Sequence, residues 1–259
     1  MFSEAAVTNE PNLRSSEMIL NLLNLGRVPY GEGLELQRRL VEARYENRIG
    51  NTLVLLEHPP VLTLGRNSSR ANILASDEFL AYRGVEVHEI NRGGDVTYHG
   101  PGQLVGYPIF DLRSFTPRLG AVDYVRRMEE ALIRACGDFG VQTGRVAGRT
   151  GVWSPAGGGA LEKKIAAIGV HIARGITSHG FAFNVHPDLR DFQLIVPCGI
   201  ADREVTSLER EADPAPTMEA VRNAVARQFG HVFAHQVLWA ELADLLPEAA
   251  AQPLAQPDL

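Results

Sequence analysis

Lysine is almost absent from this chain of 259 residues. Of the 25 basic residues only the neighbours Lys163 and Lys164 are lysines, and all the others are arginines. Arginine keeps its proton in a protein, whereas a desolvated lysine can lose it. A chain that otherwise uses arginine can keep a lysine where an amine is needed. The alternative is a general compositional bias towards arginine that gives the pair no special role.

Cysteine, long apolar runs and excess positive charge are also lacking. Two cysteines, Cys136 and Cys198, cannot build a disulfide framework and are typical of a reducing compartment. No apolar run approaches the roughly 20 residues of a membrane span, and residues 1–16 lack the apolar stretch of a signal peptide. The net charge of −6 argues against nucleic-acid binding through phosphate neutralisation. We therefore expect a cytoplasmic protein without nucleic-acid or membrane partners.

Periodicity predicts an α/β fold. With 45% hydrophobic and 22% charged residues, the chain can bury a substantial core. The predicted helices are 34–48, 121–139, 217–233 and 237–246. The predicted strands are 52–57, 61–64, 85–90, 104–110, a pair within 144–153, 165–172, 181–185 and 192–196. Because strands occur in runs between helices, we predict a mixed β-sheet packed with helices. One domain is expected at 17–246, with disorder at 1–16 and 247–259.

The first candidate for chemistry is Pro197-Cys198-Gly199, directly after the apolar run 192–196. A cysteine at the end of a strand is exposed at the edge of the sheet, and the glycine lets a ligand approach closely. The alternative is a small, buried apolar residue without reactivity. Cys136 follows the apolar rhythm of a helix, which favours that structural role for it.

The second candidate is Lys164. In a regular strand, alternation places Lys164 on one face with Ala166 and Ile168, and Lys163 on the more polar face, unless a bulge exchanges the faces. A desolvated lysine on the apolar face could exchange protons near neutrality or lower the pKa of a neighbouring thiol. The alternative is a surface lysine whose stem covers apolar neighbours.

The third candidate is the glycine-rich segment 92–103. Its four glycines indicate backbone that approaches another group closely or adopts positive φ angles, but the spacing is that of neither a P-loop nor a dinucleotide-binding loop. His99 is a candidate base or donor, or else a structural anchor. No metal site is expected, because no His, Cys, Asp or Glu set has zinc-site spacing. A serine hydrolase lacks support, since no G-x-S-x-G occurs.

Five blocks in collinear order resemble one known family. They are RGGDVTYHGPGQLVGYP at 92–108, EHPPVLTLGR at 57–66, KIAAIG at 164–169, SHGFAFNV at 178–185 and PCG at 197–199. Across about residues 20–210 the chain is similar to the octanoyl-acyl-carrier-protein:protein octanoyltransferases, also called lipoyl(octanoyl) transferases. These enzymes belong to the biotin/lipoate protein ligase superfamily.

The resemblance implies a fold, a reaction and a site. The fold would be that of the biotin/lipoate protein ligase catalytic domain. The reaction would move an octanoyl group from octanoyl-acyl carrier protein to a lysine of lipoyl domains, without a cofactor. The acceptors would be 2-oxoacid dehydrogenase E2 subunits and the glycine cleavage H protein. Cys198 would form an acyl-thioester and Lys164 would lower its pKa. The acyl-binding residues would be Arg92, Gly93, Gly94, Asp95, Val96, Thr97, Tyr98, His99, Ala167, Ile168, Gly169, Gly180, Phe181 and Ala182.

Two alternatives stay open on the sequence. An ATP-dependent lipoate or biotin protein ligase of the same fold would need an adenylate site and no thiol. A non-catalytic acyl-carrier-binding protein would share the glycine-rich groove, and alkylation of Cys198 should then leave its binding largely intact.

Overall fold

The computed structural model describes residues 18–155, 162–196 and 204–247. Cys198 lies outside these residues, as do the predicted disordered start, 1–16, and residues 248–259 of the predicted tail.

Strands and helices alternate irregularly along the described chain. The strands are β1 (Met18–Arg27), β2 (Asn51–Glu57), β3 (Val61–Leu64), β4 (Glu86–Glu89), β5 (Thr97–His99), β6 (Gln103–Ile109), β7 (Gly144–Val146), β8 (Arg149–Ser154), β9 (Lys163–Ala173), β10 (Ile176–Asn184) and β11 (His235–Trp239). The α-helices are α1 (Tyr30–Tyr45), α2 (Asp77–Tyr82), α3 (Ala121–Gly137), α4 (Leu208–Glu211), α5 (Met218–Phe233) and α6 (Leu242–Leu245). Short 3₁₀ helices occupy Arg70–Asn72 and Leu189–Leu194.

Within the described residues the strands form two sheets. The larger has the order β11-β1-β2-β6-β10-β9-β8-β7, and the smaller has the order β4-β3-β5. In the larger sheet β1 is parallel to β2 and β11, while the pairs from β2 to β7 are antiparallel. The prediction of a mixed sheet packed with helices is therefore confirmed.

Helices cover both faces of the larger sheet. On one face α3 and α5 pack on a core that includes Met128, Leu132, Val225 and Phe229. The predicted helix 217–233 is confirmed; its first turn is capped by Thr217, whose hydroxyl accepts a hydrogen bond from the Ala220 N–H at 3.2 Å. On the other face α1 packs through a second cluster of buried residues. A third cluster joins the smaller sheet to the 3₁₀ helix Leu189–Leu194.

The two ends of the described fold differ from the sequence prediction. The apolar segment Met18–Arg27 was not predicted as a strand, yet β1 lies between β2 and β11 in the larger sheet. Residues 237–246 were predicted as a helix, but β11 pairs in parallel with β1 and only α6 is helical. Helical spacing in this short run was overridden by pairing with a distant strand, which local sequence does not reveal.

The run 192–196, predicted as a strand, is also different. The 3₁₀ helix Leu189–Leu194 occupies most of it, because the Asp188 carboxylate accepts a hydrogen bond from the Arg190 N–H at 3.0 Å and starts a helical turn. Of the predicted strand, Ile195 alone makes a bridge, with Ile73. The premise that Cys198 directly follows a strand is therefore wrong.

Candidate active site

A cavity of about 250 Å³ lies against β6, β9 and β10 and is bordered by the glycine-rich segment. It collects nearly all the described residues that the sequence singled out. Those in its wall are Lys164, Arg92, Gly93, Gly94, Asp95, Val96, Thr97, His99, Ala167, Ile168, Gly169, Gly180, Phe181 and Ala182. Three segments that are distant in sequence therefore converge on one space.

Tyr98 does not line this cavity. Thr97 and His99 of β5 are in the cavity wall, and alternation turns the Tyr98 side chain between them to the opposite side. The Tyr98 hydroxyl donates to the Asp191 carboxylate at 2.6 Å, and its ring packs edge-on against Phe192. Tyr98 supports the wall from behind, so the prediction that it belongs to the acyl-binding surface is not favoured by its position.

Small residues on two neighbouring strands give the cavity a smooth wall. Gly180 lies opposite Gly169, and Ala182 lies opposite Ala167, in the β9–β10 ladder. The glycine-rich segment closes on this wall, since the Gly93 N–H donates to the Val170 carbonyl at 3.0 Å. A Cβ on Gly169 would lie only 2.8 Å from the Gly93 carbonyl oxygen, so this approach requires glycine. A straight alkyl chain could lie along these glycine and alanine residues.

A β-bulge turns Lys164 towards the cavity. Val152 pairs with Ala166, but the next residue, Trp153, pairs with Lys164, so Ile165 is an extra residue in β9. Ile165 and Ala166 are both buried in the core beneath α3 and α5. The predicted sharing of one face by Lys164 and Ala166 is therefore wrong, because the bulge moves the lysine to the side that carries the cavity.

Arg92 is a buried cation in the cavity wall and is 8% exposed. Its guanidinium donates to the Thr63 carbonyl and hydroxyl oxygens, both at 2.8 Å, and to the Gly93 carbonyl at 3.1 Å. These bonds offset part of the cost of removing the charge from water. They also fix the start of the glycine-rich segment against β3.

The histidines of the cavity wall are uncharged near neutral pH. Burial, with the nearby His58 and the Arg92 cation, lowers the pKa of His99 to about 3. Burial, followed by the same Arg92 charge, lowers the pKa of His179 to about 4. Neither imidazole therefore supplies a positive charge to the cavity near neutral pH.

Sequence reasoning singled out His99 but missed the polar partners that hold it in the cavity wall. The His99 ring donates from Nδ1 to the Gln103 side chain at 2.7 Å, and Gln103 donates to Asn184 at 2.9 Å. Asn184 in turn donates to the Thr206 carbonyl at 2.9 Å. The only sequence signal was the four-residue spacing of His99 and Gln103, since the remaining partners meet through the fold.

A buried hydrogen-bonded pair at the cavity, His58 and Tyr107, was not predicted from the sequence either. The His58 ring donates from Nδ1 to the Val28 carbonyl and accepts from the Tyr107 hydroxyl, each at 2.6 Å. Burial lowers the pKa of His58 to about 4, which agrees with this neutral tautomer.

Cys136 is shielded from chemistry. It is fully buried in α3, and burial raises the pKa of its thiol to about 12. A thiol of that pKa is almost entirely protonated near neutrality and is a poor nucleophile.

Among the residues that the structure describes, no helix combines the length and apolar character needed to cross a bilayer. Nor do three or more His, Cys, Asp or Glu side chains among them come together as metal ligands would.

The fold matches known structures, and the sequence matches one family model. A bipartite lipoate protein ligase from Thermoplasma acidophilum, studied with its E2 lipoyl domain, has a TM-score of 0.67 at 20% identity, over 91% of this chain and 92% of that one. Lipoate-protein ligase A bound with ATP has a TM-score of 0.67 at 18% identity, over 93% and 97%. The model of the lipoyl protein ligase A/B catalytic domain matches residues 29–230. The family model, which covers more than half of the chain, defines the class as that catalytic domain.

Close relatives narrow the class. An octanoyltransferase of Acidobacterium capsulatum is 75% identical over 241 residues, which are 90% of this chain and 98% of the relative. An octanoyltransferase of Koribacter versatilis is 55% identical over 241 residues, at 93% and 95% coverage. The chain belongs to the octanoyltransferase family.

Proposed function

We propose that this enzyme transfers an octanoyl group from octanoyl-acyl carrier protein to a lysine of lipoyl domains, with Cys198 as nucleophile and Lys164 as its partner. The observation that carries the proposal is that Lys164 lines a cavity whose wall also contains glycine and alanine residues of β9 and β10. The 75% identity to an octanoyltransferase favours this reaction over the ligase and non-catalytic alternatives. Residues 17–246 would form the catalytic domain.

Each half of the reaction moves one acyl group and one proton. In the first, the Cys198 thiolate attacks the thioester carbonyl and the carrier's sulfur leaves, taking a proton from the Lys164 ammonium. In the second, the acceptor's neutral ε-amine attacks the acyl-enzyme and the Cys198 thiolate leaves. The amine's proton passes to Lys164, which restores its ammonium. One thioester is exchanged for another before the amide forms, so no ATP is required.

Covalent connectivity supports bringing Cys198 to this cavity. Cys198 is two residues beyond Val196, whose N–H donates to the Asn72 carbonyl at 2.8 Å. Val205, after the segment 197–203, bridges Lys164 and lines the cavity. Because a chain extends at most about 3.6 Å per residue, these anchors limit how far Cys198 can lie from the described wall.

The acceptors proposed from the family are the lipoyl domains of 2-oxoacid dehydrogenase E2 subunits and the glycine cleavage H protein. We place the reaction in the cytoplasm, where a reducing environment keeps a catalytic thiol free.

Trapping the acyl-enzyme tests the proposal directly. After incubation with octanoyl-acyl carrier protein and no ATP, intact-mass spectrometry should detect one added octanoyl group. Peptide mapping should locate it on Cys198, because burial keeps the Cys136 thiol protonated. Cys198→Ala, treated alongside, should gain no acyl group. An adduct on Cys136, or one that appears only with ATP, would contradict the proposal.

Filling the small-residue wall should change the acyl length that the enzyme accepts. Ala167→Leu adds a branched side chain beside the proposed alkyl path. We expect kcat/KM for octanoyl-acyl carrier protein to fall about tenfold, because pocket contacts of this size are worth 10–200-fold. A butanoyl substrate should lose much less.

The control for this change lies on the same strand. Ala173 is exposed at the end of β9 and outside the cavity wall. Ala173→Leu should leave both substrates unaffected. Equal losses for octanoyl and butanoyl substrates in Ala167→Leu would mean that the alkyl chain does not pass this wall.

A further inference from the structure

The Lys164 ammonium lies over the ring of Trp153. Its Nζ is 4.7 Å from the ring centroid, and the two residues are direct partners in the β8–β9 ladder. Trp153 is only 4% exposed, and both residues line the cavity. A cation over an indole face is attracted by the ring quadrupole, and the attraction strengthens when water is excluded.

The main chain of Lys164 is held on both sides. Its N–H donates to the Glu204 carbonyl at 3.0 Å, and its carbonyl accepts from the Thr206 N–H at 2.9 Å. On β8, Gly151 lies beside the lysine stem, since a Cβ there would be in van der Waals contact, at 3.7 Å, with the Lys164 Cε. The backbone is therefore fixed, but a four-carbon stem still carries large rotamer entropy.

We propose that Trp153 is a positioning residue: its ring holds the Lys164 ammonium in place to stabilise the Cys198 thiolate and to exchange protons during acyl transfer. The inference rests on the proposed function and adds a residue to it. A π face attracts the cation without bringing a negative charge to it. A carboxylate in the same place would also hold the lysine, but it would compete with the thiolate for the charge.

Substitution of the ring tests whether its π face matters. In Trp153→Leu we expect kcat for octanoyl transfer to fall about tenfold, with KM for octanoyl-acyl carrier protein within about twofold. The alkylation rate of Cys198 near neutral pH should fall in parallel. Trp153→Phe keeps a π face and should stay within about threefold of wild type in kcat. The matched control is Trp239→Leu on β11, where the tryptophan is 55% exposed, and it should match wild type.

The outcomes separate a positioning role from a structural one. Equal losses in Trp153→Leu and Trp153→Phe with a raised KM would assign Trp153 to the shape of the wall and overturn the inference. A folded Trp153→Leu enzyme with wild-type kcat would overturn it as well. If Cys198→Ala or Lys164→Ala keeps full transfer, the proposed mechanism itself fails. If both lose transfer while Trp153→Leu does not, only the positioning inference fails.

A spectroscopic test does not depend on the folding of Trp153→Leu. In a Trp239→Phe background Trp153 is the sole tryptophan of the chain. Removing the ammonium with Lys164→Met should change the Trp153 emission intensity, whereas Lys163→Met should not. An unchanged emission in Lys164→Met would show that the ring does not sense the cation and would overturn the inference.

Discussion

Cys198→Ser should lower the rate of octanoyl transfer by at least about 10³-fold, as expected when a catalytic nucleophile is removed. A serine hydroxyl is a weak nucleophile unless a base activates it, and Lys164 as a cation favours a thiolate far more than an alkoxide. The measurement is the initial rate of octanoylation of a lipoyl domain, followed by mass spectrometry.

Cys136→Ala is the matched control for this substitution. Cys136 is buried in α3, so its replacement should reduce thermal stability somewhat while leaving the transfer rate within about twofold. A Cys198→Ser enzyme that keeps more than about a tenth of the wild-type rate would place the nucleophile elsewhere.

Lys164→Arg should reduce transfer by at least about 100-fold, although it conserves the positive charge. Arginine cannot take up the proton of the incoming amine, and general acid–base catalysis commonly contributes 10²–10⁴-fold. Lys163→Arg should be nearly neutral, because Lys163 pairs with Ser154 and is not among the residues that line the cavity. Equal activity of the two variants would make the lysine pair an accident of composition.

The pH dependence of Cys198 alkylation separates charge from proton transfer. A nearby ammonium stabilises the thiolate, so we expect a thiol pKa below the ~8.5 of a free cysteine. Lys164→Ala should move the alkylation midpoint upward by at least about one pH unit, which corresponds to ~1.4 kcal/mol. Lys164→Arg should shift it much less while still losing transfer. If Lys164→Ala remains folded by thermal melt and titrates like wild type, Lys164 is not the activating cation.

The helices packed on the larger sheet could be predicted because their pattern is local. In α5, the residues Val221, Val225, Phe229 and Phe233 repeat every four positions, and all are fully buried. The parallel pairing of β1 with β11 could not be predicted in the same way. Its partners are more than 200 residues apart, and each strand alone is a short apolar run.

For the candidate site, too, the local features could be predicted from the sequence and the contacts made by the fold could not. The near-absence of lysine singled out Lys164, and the glycine-rich segment was visible in the sequence. The direction of the Lys164 side chain was not, because one extra residue in β9 reverses simple alternation. His58 and Tyr107 lie in two separate sequence blocks, and their hydrogen bond is recognisable only when the strands are assembled.

The extra residue Ile165 allows β9 both to fill the core and to present Lys164 to the cavity. In a regular strand successive side chains point to opposite faces. Only every second residue near Lys164 could then enter the core beneath α3, and the residues between them would face the substrate. With the bulge, two consecutive apolar side chains enter the core and the lysine still emerges on the other side. The direction in which the Lys164 amine points therefore depends on the number of residues in β9. Inserting or deleting one residue there would redirect the amine even if every residue type were kept.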